Sequence, residues 1–253
     1  IQGGSIDPKP DMKLEKLGPS LGCLDGGHGL GHVVMDRATK EVIDIAKGSG
    51  SGWVSVRNSS HCGALFYFGL QIAQAGMIGF VFTHVDPMVL PYGAIEPFCG
   101  TNPICITAPG EDGQSLCLDM ATSVTPWNTI ENAALEGKEI PLGWAVDSEG
   151  TDTTDPKEVA ALYPVGGYKG SGLGLMIDVL CSLLSDSPYG PDIPKMYGDM
   201  TENRQLGGLV GAIDIERFVE LKTFRPRIAS IMQRWGNLKP SGPAQRPLYP
   251  GEP

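Results

Sequence analysis

The sequence lacks the features that mark membrane, secreted and nucleic-acid-binding proteins. No apolar run among its 253 residues reaches the roughly 18 residues that a membrane-spanning helix needs. Residues 1–4 have neither the basic nor the apolar region of a secretory signal. Positive charge is scarce, because 19 lysines and arginines stand against 29 acidic residues and leave a net charge of −10. We therefore expect a cytoplasmic protein that binds neither nucleic acid nor an anionic membrane. A locally positive pocket for a small anionic substrate remains compatible with this charge.

The sequence also lacks the clustered cysteine and histidine spacing of a zinc site. The chain has six cysteines and no C-x-x-C pair. They have apolar neighbours, as Cys105 has in Ile104 and Ile106. This pattern favours reduced, buried thiols and predicts no metal site.

The composition predicts a single domain over residues 1–253. A hydrophobic fraction of 41% is enough to build a large core. The 35 glycines and 21 prolines are spread through apolar segments, which indicates a loop-rich fold. Helical and strand patterns alternate unevenly and show no regular βαβ period, so the predicted class is α/β in the mixed α+β sense.

Apolar spacing and turn residues set the bounds of the predicted elements. Helices are predicted over 31–47, 63–75, 126–135, 157–162, 172–185 and 224–235. Strands are predicted over 53–56, 77–83, 104–108, 116–120 and 209–213, after short extended pieces within 12–24.

His61 is the first candidate for chemistry. It lies in the segment RNSSHCG, residues 57–63, which is interpreted as a loop between a strand and a helix. An imidazole gains and loses a proton near neutral pH and therefore suits general acid–base catalysis. The alternative is a histidine that caps the helix or is hydrogen-bonded in the core.

A glycine-rich segment, GGYKGSGLG at residues 166–174, is the second candidate. Glycines permit close approach of a ligand, and the following helix offers free N–H groups next to the charge of Lys169. Together these groups can hold a phosphate or pyrophosphate, although the segment is not a Walker A loop. The alternative is a tight turn that packs the helix on the sheet.

Weaker candidates follow predicted strands. Asp86 can orient a histidine or bind a substrate hydroxyl or amide, and an Asp-Pro turn is the alternative. Asp119 can cap the next element or meet a ribose. His28 and His32 lie in GGHGLGH, which does not match a dinucleotide fingerprint and is interpreted as a turn leading into a helix.

At these motifs the sequence resembles the malate/L-lactate dehydrogenase-like family, from Ile1 to Pro253. The motifs that carry the resemblance are residues 57–63, 100–103, 118–121, 169–173 and 249–252. Within the family, residues 85–89 with Glu96 and residues 153–156 are most similar to the ureidoglycolate dehydrogenase branch.

The resemblance implies a fold, an assembly, a reaction and the position of this chain within the family's sequence. It implies a non-Rossmann nicotinamide-binding fold with a largely antiparallel mixed sheet flanked by helices, in a homodimer. It implies hydride transfer between NAD, or NADP, and the CH–OH or C=O group of a small 2-hydroxy or 2-oxo acid. Cyclic imino-acid reduction on the same scaffold, and an inactive binding protein, are the alternatives. The family's N-terminal helical segment and last C-terminal helices are expected to lie outside these 253 residues.

The resemblance also implies roles for single residues. His61 is expected to donate the proton during carbonyl reduction, and Asp86 to contact the substrate or support the histidine. At position 85, valine replaces the serine common in the family, so a side-chain hydroxyl contact with the nicotinamide is lost. The residues expected to bind the cofactor are His84, Asp119, Met120, Ala121, Lys169, Gly251, Glu252 and Pro253.

Overall fold

Nine strands form two sheets in the computed structural model, which describes residues 1–196, 198–242 and 246–252. The strands are β1 (Lys13–Lys16), β2 (Leu21–Asp25), β3 (Ser51–Ser59), β4 (Met77–Thr83), β5 (Ile104–Pro109), β6 (Ser115–Met120), β7 (Ala145–Val146), β8 (Ala161–Leu162) and β9 (Leu206–Asp214). The larger sheet has the order β1-β2-β3-β9-β4-β5-β6, and β7 pairs with β8. Within the described residues, only β2 and β3 of the larger sheet pair in parallel. The predicted mixed α/β class with a largely antiparallel sheet is therefore confirmed.

Helices cover both faces of this sheet. They are α1 (Gly31–Ser49), α2 (Phe66–Gln74), α3 (Trp127–Glu136), α4 (Tyr168–Ser182) and α5 (Leu221–Gly236). On one face, α1 buries Val34, Ala38 and Val42 at helical spacing against the valines of β3 and β9. On the other face, Ile177 of α4 packs with Phe82.

Glycines in the central strand β9 let neighbouring elements come close. A Cβ on Gly211 would collide with the ring of Trp53, and one on Gly207 would collide with the carbonyl oxygen of Cys181. Because glycine carries no side chain, Trp53 covers one part of β9 and α4 approaches another.

Most predicted elements appear with shifted ends. Strand β4 is found where it was predicted, and β3 extends to Ser59, so that Arg57 and Asn58 are in a strand instead of the predicted loop. Helix α2 begins at Phe66, three residues after its predicted start, because Gly63 has a left-handed backbone with φ of 74°. Helix α4 begins earlier than predicted, at Tyr168.

The helix predicted over 157–162 is wrong. Ala161 and Leu162 form β8, where they are buried and pair with Val146 and Ala145. Six residues are too few to gain more than one or two helical hydrogen bonds, so burial against another strand decides the conformation.

Two further findings concern the described part of the chain. None of its helices combines the length and the apolar character that crossing a membrane requires. All six cysteines are free and buried.

Candidate active site

The sheet topology brings several chain segments to one edge. Strands β3 and β4 both run antiparallel to β9, and β5 runs antiparallel to β4 and β6. The ends of β3, β4 and β6 therefore meet the starts of β5 and β9 at the same edge of the sheet. Segments that are far apart in sequence can build one site there.

A cleft of about 690 Å³ opens at this edge. Its walls include His61 after β3, Val85 after β4, and Asp119, Met120 and Ala121 at the end of β6. Four residues predicted from the sequence, His61 and the three at and just after the end of β6, thus line one cavity. A smaller pocket of about 50 Å³ adjoins it and shares His61 and Val85 with the cleft.

His61 is exposed at the cleft and is held through one ring nitrogen. The backbone N–H of Gly63 donates to Nδ1 of His61 at 3.3 Å, and among the described residues Nε2 has no hydrogen-bond partner. A bond of this length is weak, so protonation of Nδ1 costs little. Partial burial lowers the pKa of His61 below 6.5, and the charge of His32 lowers it further. Nε2 is the nitrogen left for a substrate.

The backbone that carries His61 is fixed by the start of α1. Oγ of Ser60 accepts the N–H of Gly31 at 2.8 Å and donates to the carbonyl oxygen of Gly29 at 3.1 Å. A Cβ on Gly31 would collide with the carbonyl oxygen of Ser60. Only glycine allows α1 to begin in direct contact with the segment before His61.

Asp119 links β6 to α2. Its Oδ2 accepts the N–H of Phe66, the first residue of α2, at 2.8 Å. Burial raises the pKa of Asp119, and hydrogen bonds from the backbone of Phe66 and Leu65 oppose that rise. Asp119 therefore caps a helix, as one of its two interpretations predicted. The helix is α2, whose first residue lies 53 residues before Asp119, and not the element that follows Asp119 in the chain. Asp119 itself lines the cleft.

Asp86 is buried behind the cleft wall. Its side chain does not line either cavity described above, and Oδ1 has no hydrogen-bond partner among the described residues. Burial raises the pKa of Asp86, while the backbone N–H of Met196 and the charges of Arg204 and Lys195 oppose that rise. A buried carboxylate with one unpaired oxygen is costly, which makes Asp86 a candidate for support or for contact with a donor.

His84 is fully committed to a buried network. Nε2 accepts the N–H of Gly207 at 2.8 Å, and Nδ1 lies 3.2 Å from Oδ1 of Asp178. Asn102 joins the network by donating to Asp178 at 3.4 Å and by accepting the N–H of Val85 at 3.4 Å. Both ring nitrogens of His84 are used, so a cofactor contact at this position would have to come from its backbone.

Lys169 is exposed in the first turn of α4 and does not line the cleft. Gly166 and Gly167 precede it with φ values of 63° and 65°, and they turn the chain into the helix. Val165, immediately before this turn, does line the cleft. The glycine-rich segment therefore begins at the wall of the cavity and leads away from it.

The C-terminal residues of the predicted cofactor loop pack on β6. Pro250 accepts the N–H of Cys117 at 3.0 Å, and a Cβ on Gly251 would lie 3.0 Å from the Cβ of Cys117. Glu252 forms an ion pair with Arg246 at 2.6 Å and lines a separate groove beside α5. Pro253, also predicted to bind the cofactor, lies outside the described residues.

The sequence analysis missed part of the lining. Trp127 and Met196 face the cleft, together with Thr101 and Pro103. The last two belong to the motif GTNP that carries the family resemblance, which is a usable signal. Nothing in the sequence around Trp127 or Met196 distinguishes them from core residues, so only the fold reveals their position.

Comparison with known proteins gives consistent results over the whole chain. The family model described as malate/L-lactate dehydrogenase matches residues 1–253. Ureidoglycolate dehydrogenase (NAD(+)) of Escherichia coli O157:H7 is 36% identical over 252 residues, covering 100% of this chain and 72% of the relative. Malate dehydrogenase of Pyrococcus abyssi is 37% identical over 262 residues, covering 100% and 71%. The crystal structure of malate dehydrogenase from Entamoeba histolytica superposes with a TM-score of 0.93 at 30% identity, covering 100% and 74%.

Proposed function

This chain belongs to the malate/L-lactate dehydrogenase family, and we propose that its cleft transfers a hydride between a nicotinamide cofactor and a small 2-hydroxy or 2-oxo acid. The chain is an oxidoreductase that acts on CH–OH groups, and NAD is its cofactor by similarity to its relatives. One observation carries the proposal for the site: His61 and the strand end with Asp119, Met120 and Ala121 line the same cavity.

The residues present fit a nicotinamide dinucleotide. A cavity of about 690 Å³ is within the usual range for cofactor and small-molecule sites. Asp119 lines the cleft, where its carboxylate can accept a hydrogen bond from a ribose hydroxyl, and Lys169, in the first turn of α4, supplies a positive charge for a phosphate. The cofactor supplies the hydride chemistry when it is bound.

His61 handles the proton of this reaction. In carbonyl reduction, negative charge develops on the substrate oxygen, and a protonated His61 neutralises it by donating from Nε2. In alcohol oxidation, the neutral ring accepts the hydroxyl proton. The weak hydrogen bond from Gly63 to Nδ1 orients the resting ring. It is given up in both reactive forms, because the protonated ring and the neutral ring that accepts at Nε2 both carry a proton on Nδ1.

Asp86 supports this arrangement from behind the wall. It follows Val85, which lines the cleft, and its own burial favours a supporting role over direct participation. An amide or hydroxyl donor that reached Oδ1 would satisfy its unpaired oxygen.

We further propose a cytoplasmic homodimer. Free, buried thiols are typical of a reducing compartment. Helix α4 and the turn after it expose Leu175, Met176, Leu183 and Leu184, and such a row of apolar side chains favours a protein–protein contact. Light scattering coupled to size exclusion tests this assembly: a mass of one chain at micromolar concentration would contradict it.

A panel of substrates tests the reaction. We expect the absorbance of reduced nicotinamide to fall when the protein is mixed with pyruvate, oxaloacetate or oxalurate. Faster turnover with a cyclic imine than with every oxo acid would show that the protein is an imino-acid reductase. An unchanged absorbance with all four compounds would contradict the proposed activity and indicate a binding protein.

A further inference from the structure

The buried residue Asn102 lies between two residues of the cleft lining. Its neighbours in the motif GTNP, Thr101 and Pro103, line both the cleft and the smaller pocket beside it. Asn102 itself is fully buried and lines neither cavity. Any effect of Asn102 on the reaction therefore passes through the residues that it holds.

The amide of Asn102 uses its oxygen and both of its N–H groups. Oδ1 accepts the backbone N–H of Val85 at 3.4 Å. Nδ2 donates to the carbonyl oxygen of Gly174 at 3.0 Å and to Oδ1 of Asp178 at 3.4 Å. Val85 lines the cleft, whereas Gly174 and Asp178 are buried in α4. One side chain therefore connects the segment after β4 to α4, and the bond to Gly174 is the strongest of the three.

The backbone of Asn102 has an unusual conformation for its place in the chain. Its φ is 31°, in the left-handed region, although a residue before proline normally has an extended backbone. Such a conformation in a residue other than glycine persists only when the surrounding contacts enforce it. Here the hydroxyl of Thr122 donates to the carbonyl oxygens of Thr101 and Asn102, at 3.0 and 3.2 Å. The turn is therefore held by Thr122 from outside and by the Asn102 amide from within.

The same turn packs directly on Val85. A Cβ on Gly100 would collide with the carbonyl group of Val85, so the two backbones are in contact. Val85, Thr101 and Pro103, which we call the GTNP wall, each line both cavities, as His61 does. A substrate that reaches His61 therefore also meets the GTNP wall.

We propose that Asn102 is a positioning residue for the reaction, which holds the GTNP wall in the place where a substrate meets His61. This inference rests on the proposed function of the cleft. The amide is needed for this task, because two N–H donors and one acceptor satisfy Gly174, Asp178 and Val85 at once. A displaced wall would change the orientation of the substrate toward His61, and such misplacement lowers turnover more than binding.

Asn102→Gly tests the amide without disturbing the backbone, since glycine accepts a left-handed φ. Thr107→Val is the matched control. Thr107 is buried in β5 and donates to the carbonyl oxygen of Gly69 in α2 at 2.8 Å, but it lines neither cavity. Kinetics are measured at a temperature where circular dichroism shows that every variant is folded. We expect kcat of Asn102→Gly to fall on the order of tenfold or more, with a smaller change in KM. Thr107→Val also loses a buried hydrogen bond and should keep the wild-type kcat.

Hydrogen exchange of the free protein gives a readout that does not depend on turnover. The amide of Val85 should exchange faster in Asn102→Gly than in the wild type, because its acceptor is gone, and should be unchanged in Thr107→Val. If Asn102→Gly does not fold, kcat of Asn102→Asp decides, because aspartate keeps the shape and the acceptor for Val85 but loses both donors.

Wild-type kcat in the folded Asn102 variant, or an equal fall of kcat in Thr107→Val, would overturn the inference. Unchanged exchange of the Val85 amide in Asn102→Gly would overturn it as well. Full turnover in His61→Ala would contradict the proposed role of His61 instead. The comparison of the Asn102 variant with the wild type does not depend on that result.

Discussion

Asp119 and Phe66 are joined by a hydrogen bond of 2.8 Å from the backbone nitrogen of Phe66 to Oδ2 of Asp119. The end of β6 and the start of α2 are thereby tied together beside the cleft. A carboxylate at the first N–H groups of a helix both satisfies a donor and faces the positive end of the helix dipole.

The two tasks of Asp119, capping and cofactor binding, can be separated. Asp119→Asn keeps an oxygen acceptor for Phe66, so we expect the free energy of unfolding to change little. Asp119→Ala should lower it by about 1 kcal/mol, the usual loss for a cap. Both variants should bind NADH more weakly, because both lose the carboxylate that a ribose hydroxyl would meet. Urea unfolding and fluorescence titration with NADH measure the two effects, and unchanged NADH affinity in both would remove Asp119 from the cofactor site.

His84 is expected to be structural. Its removal in His84→Ala leaves the N–H of Gly207 without its acceptor in the interior, and leaves Oδ1 of Asp178 with only the 3.4 Å hydrogen bond from Asn102. We expect a loss of about 3 kcal/mol in the free energy of unfolding, as for other buried polar pairs that lose one member. His84→Gln retains an acceptor and a donor and should recover part of the loss. A His84→Ala variant with wild-type stability and impaired NADH binding would reverse this assignment.

The fold was predictable where one residue type or one period decides the local structure. The valines and alanines of α1, the apolar strand β4 and the β5–β6 hairpin carried clear patterns, and all are found close to their predicted bounds. The strand β8 was not predictable, because its two residues take their conformation from pairing with β7.

The site, like the fold, was predictable only where the local sequence carries a clear pattern. His61 stood out as a proton-transfer group in a motif, and the fold places it in the cleft. The partner of Asp119 lies 53 residues away, and Ser60, next to His61, bonds to Gly31 at the start of α1. Neither relationship leaves a mark in the local sequence, since both arise from tertiary packing.

Asp86 should reduce stability at neutral pH. Burial raises the pKa of its carboxyl group above the ordinary 3.8, so ionisation is less favourable in the folded chain than in the unfolded one. The neutral acid therefore contributes stability below pH 3.8, and that contribution is lost as pH rises through the higher folded pKa. We expect Asp86→Asn to unfold at higher urea than the wild type at pH 7, with the difference shrinking toward acidic pH.

The same variant tests the functional part of Asp86. If Asp86 supports the site, Asp86→Asn should gain stability and lose turnover together, as residues held at a cost in active sites do. Lower stability than the wild type at pH 7 would mean that the ionised carboxylate is paired and favourable, and Asp86 would then not be a destabilising group.

Lys169 tests the proposed phosphate contact. We expect Lys169→Ala to weaken NADH binding on the order of tenfold, equivalent to about 1.4 kcal/mol, because an exposed lysine at a helix start attracts phosphate by charge. Lys169→Arg keeps the charge and should bind nearly as well. Dissociation constants for NADH measured at two salt concentrations check whether the effect is electrostatic. Equal NADH affinity in Lys169→Ala and wild type would mean that the glycine-rich segment is only a turn that packs α4 on the sheet.

The central claim is that the imidazole of His61 transfers the proton at the substrate oxygen, and the most direct measurement compares turnover with cofactor affinity in His61→Ala. We predict that kcat falls by roughly a hundredfold or more while the dissociation constant for NADH stays close to that of the wild type. Full turnover in His61→Ala, or an equal loss of NADH binding and turnover, would contradict the claim.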